Sequence, residues 1–198
     1  MSKIEKIQKN CLKLLDEFIS VCNKHKLEWF ADGGTLLGAM RKGKMIAWDD
    51  DVDVVMPRED YDKLLALGPK VFKEPFFFQT PETDEYFEVH AKLRLDGTTA
   101  LTKREFTGHH HRGQFLDIFP IDILPHDETV VLSEIGLVKS LGKYSSIKDA
   151  GTDECKLKEE YENAFVLMNK VIRDIGEQYK ESNNVANINR NILIICIN

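Results

Sequence analysis

The segment Trp48–Pro57 reads WDDDVDVVMP and places carboxylates at Asp49, Asp50, Asp51 and Asp53. Like charges this close repel, and neither a helix nor a strand gains from the crowding. Any fold of this chain must therefore expose the run, neutralise it, or fill it with a cation. The valines narrow the choice. If Val52–Met56 is a buried strand, side chains alternate across it, and Asp51 and Asp53 project to one face. Two carboxylates at i, i+2 on a strand end form a forked oxygen cradle. Mg²⁺ takes one or two such carboxylates and completes its octahedron with water and substrate phosphate oxygens. Mn²⁺ is the expected substitute. Asp49 extends the row, whereas Asp50 points elsewhere.

Other acidic sites begin in the same way. An EF-hand loop started at Asp49 would put Asp51, Asp53 and Asp60 at its third, fifth and twelfth positions. Val54 would then occupy the sixth, where the sharp turn needs Gly, and the twelfth would lack its Glu. That reading is rejected. DVDVV also fits the D-x-D-x-[TV] pattern of aspartyl-nucleophile phosphatases, but those place it after an apolar strand, and here IAWDD precedes it. A solvated acidic turn, the usual meaning of a charge run, leaves the alternating valines unexplained.

A second constellation, ADGGTLLGAMRKG, lies upstream. A strand that ends in Gly33–Gly34 and runs into a helix lets backbone N–H groups approach an anion with no Cβ in the way. The helix start at Thr35 adds partial positive charge and a hydroxyl. Gly-Gly before a helix is often only a tight turn. An Asp-x-Asp strand about 17 residues later gives it specificity. Strand, Gly-Gly, helix and a strand with two aspartates is how a nucleotidyltransferase fold holds phosphates beside Mg²⁺.

Elsewhere, Ile4, Ile7, Cys11, Leu14, Leu15, Phe18 and Cys22 predict an amphipathic helix over about 3–25. LEWFA (27–31) reads as a strand, 35–43 as a helix closed by Gly43, and Pro57 as the opening of the helix REDYDKLLAL. A β-rich middle follows: FFFQ (76–79), a half-exposed strand over 86–95, a tight hairpin turn at Asp96–Gly97 into TTALT (98–102), and QFLDIFPID (114–122). Beyond Pro125, residues 127–142 and 156–181 are helical by pattern, and the apolar last stretch reads as a strand or an abrupt end. The expected fold class is α/β (α+β), a mixed sheet flanked by helices. Residues 1–125 are expected to form the catalytic core with its N-terminal helix, and 126–198 a helical C-terminal portion of the same domain, read as truncated.

A net charge of −6 argues against a general nucleic-acid binder. The four cysteines, Cys11, Cys22, Cys155 and Cys196, contain no CxxC pair and read as reduced thiols, which implies a cytoplasmic protein. No apolar run reaches spanning length. Work at the inner face of a membrane, through peripheral contact, stays compatible with that.

With these residues in view, WFADGGTLLGAMRKGKMIAWDDDVDVVMPREDYDKLL closely resembles the LicD family, phosphocholine transferases related to the fukutin-type ribitol-phosphate transferases. HHHRGQFLDIFPID is similar to that family's third segment, so the resemblance runs from about Ile4 to Asp122. It implies a nucleotidyltransferase-like fold. It also implies transfer of a phospho-alcohol, first of all phosphocholine, from a CDP-activated donor to a glycan or lipid-linked glycan. By position, Gly33 and Gly34 match the family's glycine pair, Asp51 and Asp53 its metal pair, Asp117 its third acid and Arg41 its arginine. Two other classes stay open: a nucleotidyltransferase moving NMP from an NTP, and an inactive nucleotide-binding relative.

The residues themselves support several of these positions. Asp117 is the single charge among Phe115, Leu116, Ile118 and Phe119, which is unfavourable unless it is paired or metal-bound. It is a candidate third metal ligand or base for the acceptor hydroxyl. Lys92 and Arg94, at i, i+2, would neutralise the donor pyrophosphate, although an exposed sheet face would look the same. Three adjacent histidines are a poor zinc site, and a loop in which His110 or His111 touches phosphate fits better. Trp48 would stack on a base or a choline ammonium, with Trp29 and Phe30 as further aromatic candidates, or else pack in the core.

Overall fold

A computed structural model describes residues 2–80, 82–84, 90–100 and 110–124, with residues 170, 174, 177 and a strand at 184–186 beyond them. The chain divides into two units, Met1–Pro120 and Ile121–Asn198. Helix α1 (Lys3–His25) starts on a capping box in which Ser2 and Glu5 satisfy each other's backbone N–H groups. Its apolar stripe buries Cys11, Leu14, Phe18, Val21 and Cys22. The helix ends at Lys26 in the left-handed conformation, and the Leu27 N–H bonds back to the Cys22 carbonyl at 2.9 Å. That return bond delays the following strand. Only Phe30–Ala31 pair (β1), not the whole of 27–31.

Helix α2 (Gly33–Lys42) begins earlier than the leucine pattern indicates, because both glycines belong to its first turn. Gly43, with φ of 61°, closes it as expected. Strand β2 (Asp53–Pro57) pairs antiparallel with β1, Phe30 opposite Val55 and Ala31 opposite Val54. Pro57 is the cap of α3 (Arg58–Leu67), which a turn at Pro69–Val71 follows. Strands β3 (Phe76–Gln79), β4 (Ala91–Leu95) and β5 (Gln114–Leu124) complete a sheet of order β1-β2-β5-β4-β3. Strands β3–β4 and β4–β5 are antiparallel. The fold class is mixed α/β, in agreement with the sequence.

Two expectations for the middle are corrected. β4 is buried on both faces, not half-exposed, because neighbours flank it on either side and its polar residues find partners beneath an aromatic ring. Among the described residues, no strand follows the Asp96–Gly97 turn at 98–100. Instead, Thr98 Oγ1 accepts from the Gln114 N–H at 2.8 Å, and the Ala100 N–H donates to the Arg112 carbonyl. These bonds leave 98–100 as a loop sealing the end of the sheet, while residues 101 and 102 lie outside the described set.

The second unit holds the end of β5, where Asp122–Leu124 pair antiparallel with β6 (Asn184–Ala186). Residues 170, 174 and 177 are helical. The expected helix at 127–142, most of the one at 156–181, Cys155, Cys196 and the terminal apolar run lie outside the described residues. Among the described residues, no helix is long and apolar enough to cross a membrane.

Alternation sorts the sheet into two faces. Val52, Val54, Met56, Ala91, Leu93, Leu95, Leu116 and Ile118 join the core with α1, Tyr61 and Leu64. The opposite face of the same strands carries Asp53, Lys92, Arg94, Phe115 and Asp117.

Candidate active site

The site is built where α2 meets β2. The Asp53 N–H donates to Thr35 Oγ1 at 3.0 Å, and the Asp32 N–H donates to the Asp53 carbonyl at 3.0 Å. Thr35 thus fixes the start of the acidic strand against the first turn of α2. Gly33 has a φ of 52°, a left-handed conformation suited to glycine. A Cβ at Gly34 would overlap the Asp49 carboxylate. This close approach is what the Gly-Gly pair provides locally. Gly34→Ala should therefore lower stability by about 1–3 kcal/mol, measured by denaturant unfolding. Adding Asp49→Ala should recover most of that loss.

The carboxylates are close enough to feel one another. Burial, then repulsion from Asp53, Asp49, Asp117 and Asp50, pushes the Asp51 carboxyl up to about 6. Helix α1 backs the loop that carries them. The Gln8 side-chain amide donates to the Ile46 and Asp49 carbonyls at 2.8 and 2.9 Å, and Cys11 Sγ lies 3.5 Å from the Asp50 carbonyl. Burial and the charges of Asp51, Asp50 and Asp49 push the Cys11 thiol up to about 12, so it stays protonated.

Asp117 sits one strand away, directly opposite Lys92 in the β4–β5 register. Its Oδ1 is 3.0 Å from both Lys92 Nζ and His90 Nε2, and the His90 ring stacks on Phe119 at 4.2 Å. Burial disfavours the charge, yet His90 and Lys92 outweigh it and hold the carboxyl well below the usual range. Among the described residues, no three of these side chains converge on one ion position. Asp117, expected from the sequence as a third metal ligand or as a base, has its Oδ1 engaged by Lys92 Nζ and His90 Nε2. His90 was missed, although it lies at i−2 from Lys92 and i−4 from Arg94. Gln8, on a helix read only for its apolar stripe, was missed too.

Other expected contacts are placed elsewhere. Arg94 is fully buried, donating to Gln79 Oε1 and the Gly113 carbonyl beneath the Phe115 ring, so it meets protein rather than phosphate. Lys92 Nζ is likewise engaged by Asp117, and it stands 3.8 Å from the centre of the Phe115 ring. His111 uses both ring nitrogens internally: Nε2 donates to Asp96 and Nδ1 accepts from the Gly113 N–H, while the ring stacks on Phe77. That engagement argues against a phosphate contact. His110 is half-buried. Trp48 is 81% exposed and not core, whereas Trp29 packs edge-on against Phe18. Arg41 lies six residues beyond Thr35, about 9 Å along the helix axis, and is exposed at the far end of α2.

A family model described as "LicD/FKTN/FKRP, nucleotidyltransferase domain" matches residues 26–134, which include Gly33, Gly34, Asp51, Asp53 and Asp117 but not α1. The lipopolysaccharide cholinephosphotransferase LicD of Haemophilus influenzae is 32% identical over 123 residues. That match covers 61% of this chain and 45% of the relative, so the chain accounts for less than half of that protein. No solved structure is a significant match.

Proposed function

We propose, since this chain belongs to the LicD family, that it transfers a phospho-alcohol, phosphocholine first, from a CDP-activated donor to a hydroxyl of a glycan or lipid-linked glycan. The observation that carries the reading is the repelling Asp51–Asp53 pair, held to the glycine-led start of α2 through Thr35. An Asp51 carboxyl pushed up by burial and by repulsion from its neighbours fits a hard divalent cation, and the pair's donor set is all oxygen, as Mg²⁺ or Mn²⁺ prefers. Bound there, the ion would neutralise charge on the donor phosphates and the departing CMP.

The chain's own residues supply the remainder. The Gly33–Gly34 turn presents backbone N–H groups at a helix start to the nucleotide phosphates. The acceptor oxygen attacks the phosphorus that carries the alcohol, a new P–O bond forms, and the P–O bond to CMP breaks. The hydroxyl proton passes to the His90–Asp117 pair on the same sheet face. Asp117 keeps that ring oriented, and Lys92 keeps Asp117 ionised.

Incubation with Mg²⁺ and a panel of CDP-alcohols and NTPs, followed by assay of CMP and pyrophosphate, tests the reading. CMP release that requires an acceptor glycan supports it. Pyrophosphate release would instead indicate NMP transfer, and tight CDP-choline binding without turnover an inactive relative. Because Gln8 anchors the carbonyls of the acidic loop, Gln8→Leu is expected to raise the half-saturating Mg²⁺ concentration about tenfold, as read from a metal titration of the rate.

A further inference from the structure

Helix α2 turns its apolar side outward. Gly38 is its single buried residue, whereas Leu36, Leu37 and Met40 are exposed, Met40 to 79%. Residues 36, 37 and 40 share one helix face by spacing. The cause lies on the other face. A Cβ at Gly38 would crowd the Lys44 carbonyl and the Ile46 nitrogen, and one at Gly34 would overlap the Asp49 carboxylate. The return segment 44–49 therefore lies against the glycine side of the helix, where no large side chain fits. The leucines are left pointing to solvent, and the same segment contributes the exposed Trp48. Arg41, Lys42 and Lys44 are exposed at the end where the chain turns back. These are three cations within four positions, in a chain of net charge −6.

We propose that α2 and its return segment form a docking surface for an anionic phospholipid bilayer. Leu36, Leu37, Met40 and Trp48 enter the boundary between headgroups and acyl chains, and Arg41, Lys42 and Lys44 meet lipid phosphates. Aliphatic residues, an exposed Trp and a basic cluster on one short element are the composition of interfacial helices. A protein partner's interface core, by contrast, is depleted in lysine. The polarity along the hairpin fits as well. Asp49 and Asp50 lie at the end away from the basic cluster, so phosphate headgroups favour one end and are repelled from the other. A ten-residue helix gives a weak, reversible attachment that needs both its apolar and its basic parts.

The test is flotation of the full chain with vesicles of phosphatidylcholine alone and with roughly one-quarter phosphatidylglycerol, with tryptophan emission recorded in parallel. The wild type should float with the anionic vesicles, lose that association at high salt, and shift its emission to the blue as Trp48 leaves water. Leu37→Ser/Met40→Ser and Lys42→Glu/Lys44→Glu should each weaken partition about tenfold or more, with unchanged thermal unfolding. Failure of folded wild type to bind anionic vesicles overturns the proposal. Equal binding by both variants does so too, as does a dimer that shields Trp48 without any lipid association.

Discussion

Asp53→Asn is expected to lower phospho-alcohol transfer about a thousandfold while leaving the fold in place. Asn keeps the shape of the side chain and removes the charge that would hold the cation. The strand stays put because its anchors are backbone groups: the N–H of residue 53 bonds Thr35, and its carbonyl accepts from Asp32. Asp51→Asn should lose activity in the same way but move stability in the opposite sense. Burial and four neighbouring carboxylates disfavour the Asp51 charge, so removing it should raise the metal-free melting temperature by about 2–4 °C. Mg²⁺ should raise the melting temperature of the wild type and of neither variant. Full turnover in both would remove the aspartate pair from the chemistry.

Asp117→Asn is expected to be the most destabilising of the acidic substitutions, by about 3–5 kcal/mol. The buried Lys92 ammonium, 3.0 Å from Asp117 Oδ1, would lose its counter-charge with no route to water. The pH dependence follows from the depressed carboxyl. The native state binds fewer protons than the unfolded chain around the ordinary carboxylate pKa, so the contribution is present above about pH 4 and is lost as acid is added. Chemical unfolding from neutral to acidic pH should show that loss in the wild type and not in the variant. Lys92→Met in the Asp117→Asn background should restore much of the stability, because an apolar replacement needs no partner. If the restored double variant still fails to turn over, the His90–Asp117 pair serves the reaction as well as the fold. A penalty no larger than that of a surface substitution would refute the ion-pair reading.

What could be read from the sequence was whatever depends on near neighbours along the chain. The α1 stripe and the Gly43 cap follow from local periodicity, and the structure reproduces both; the expected strand at Val52–Met56 is found one residue later, at Asp53–Pro57. The partners of Lys92 and Arg94 were not legible. They depend on which strand lies beside β4, and Phe115 and Asp117 come into register only across the sheet. Spacing correctly put the two cations on one face but gave no sign that an aromatic ring and a carboxylate would cover them. The contact of His111 was not legible for the same reason: its partner Asp96 is fifteen residues away in sequence. Gln8 reaches the acidic loop over about forty residues, a distance that no window analysis spans.

The strand order β1-β2-β5-β4-β3 has a consequence for how the molecule is made. Of the five strands in that order, β5 is the last to leave the ribosome, and it is the one inserted at the centre. Until it arrives, β2 and β4 each present an open edge that invites pairing with another chain. Asp51 and Asp53 have by then been synthesised, but the strand that carries Asp117 and closes the sheet beside them has not. Assembly is therefore dominated by sequence-distant pairings, a slow mode of folding, and the nascent chain stays exposed to aggregation until β5 docks. Chains stalled or cleaved before Gln114 should accumulate as insoluble material rather than as a smaller, partly active enzyme.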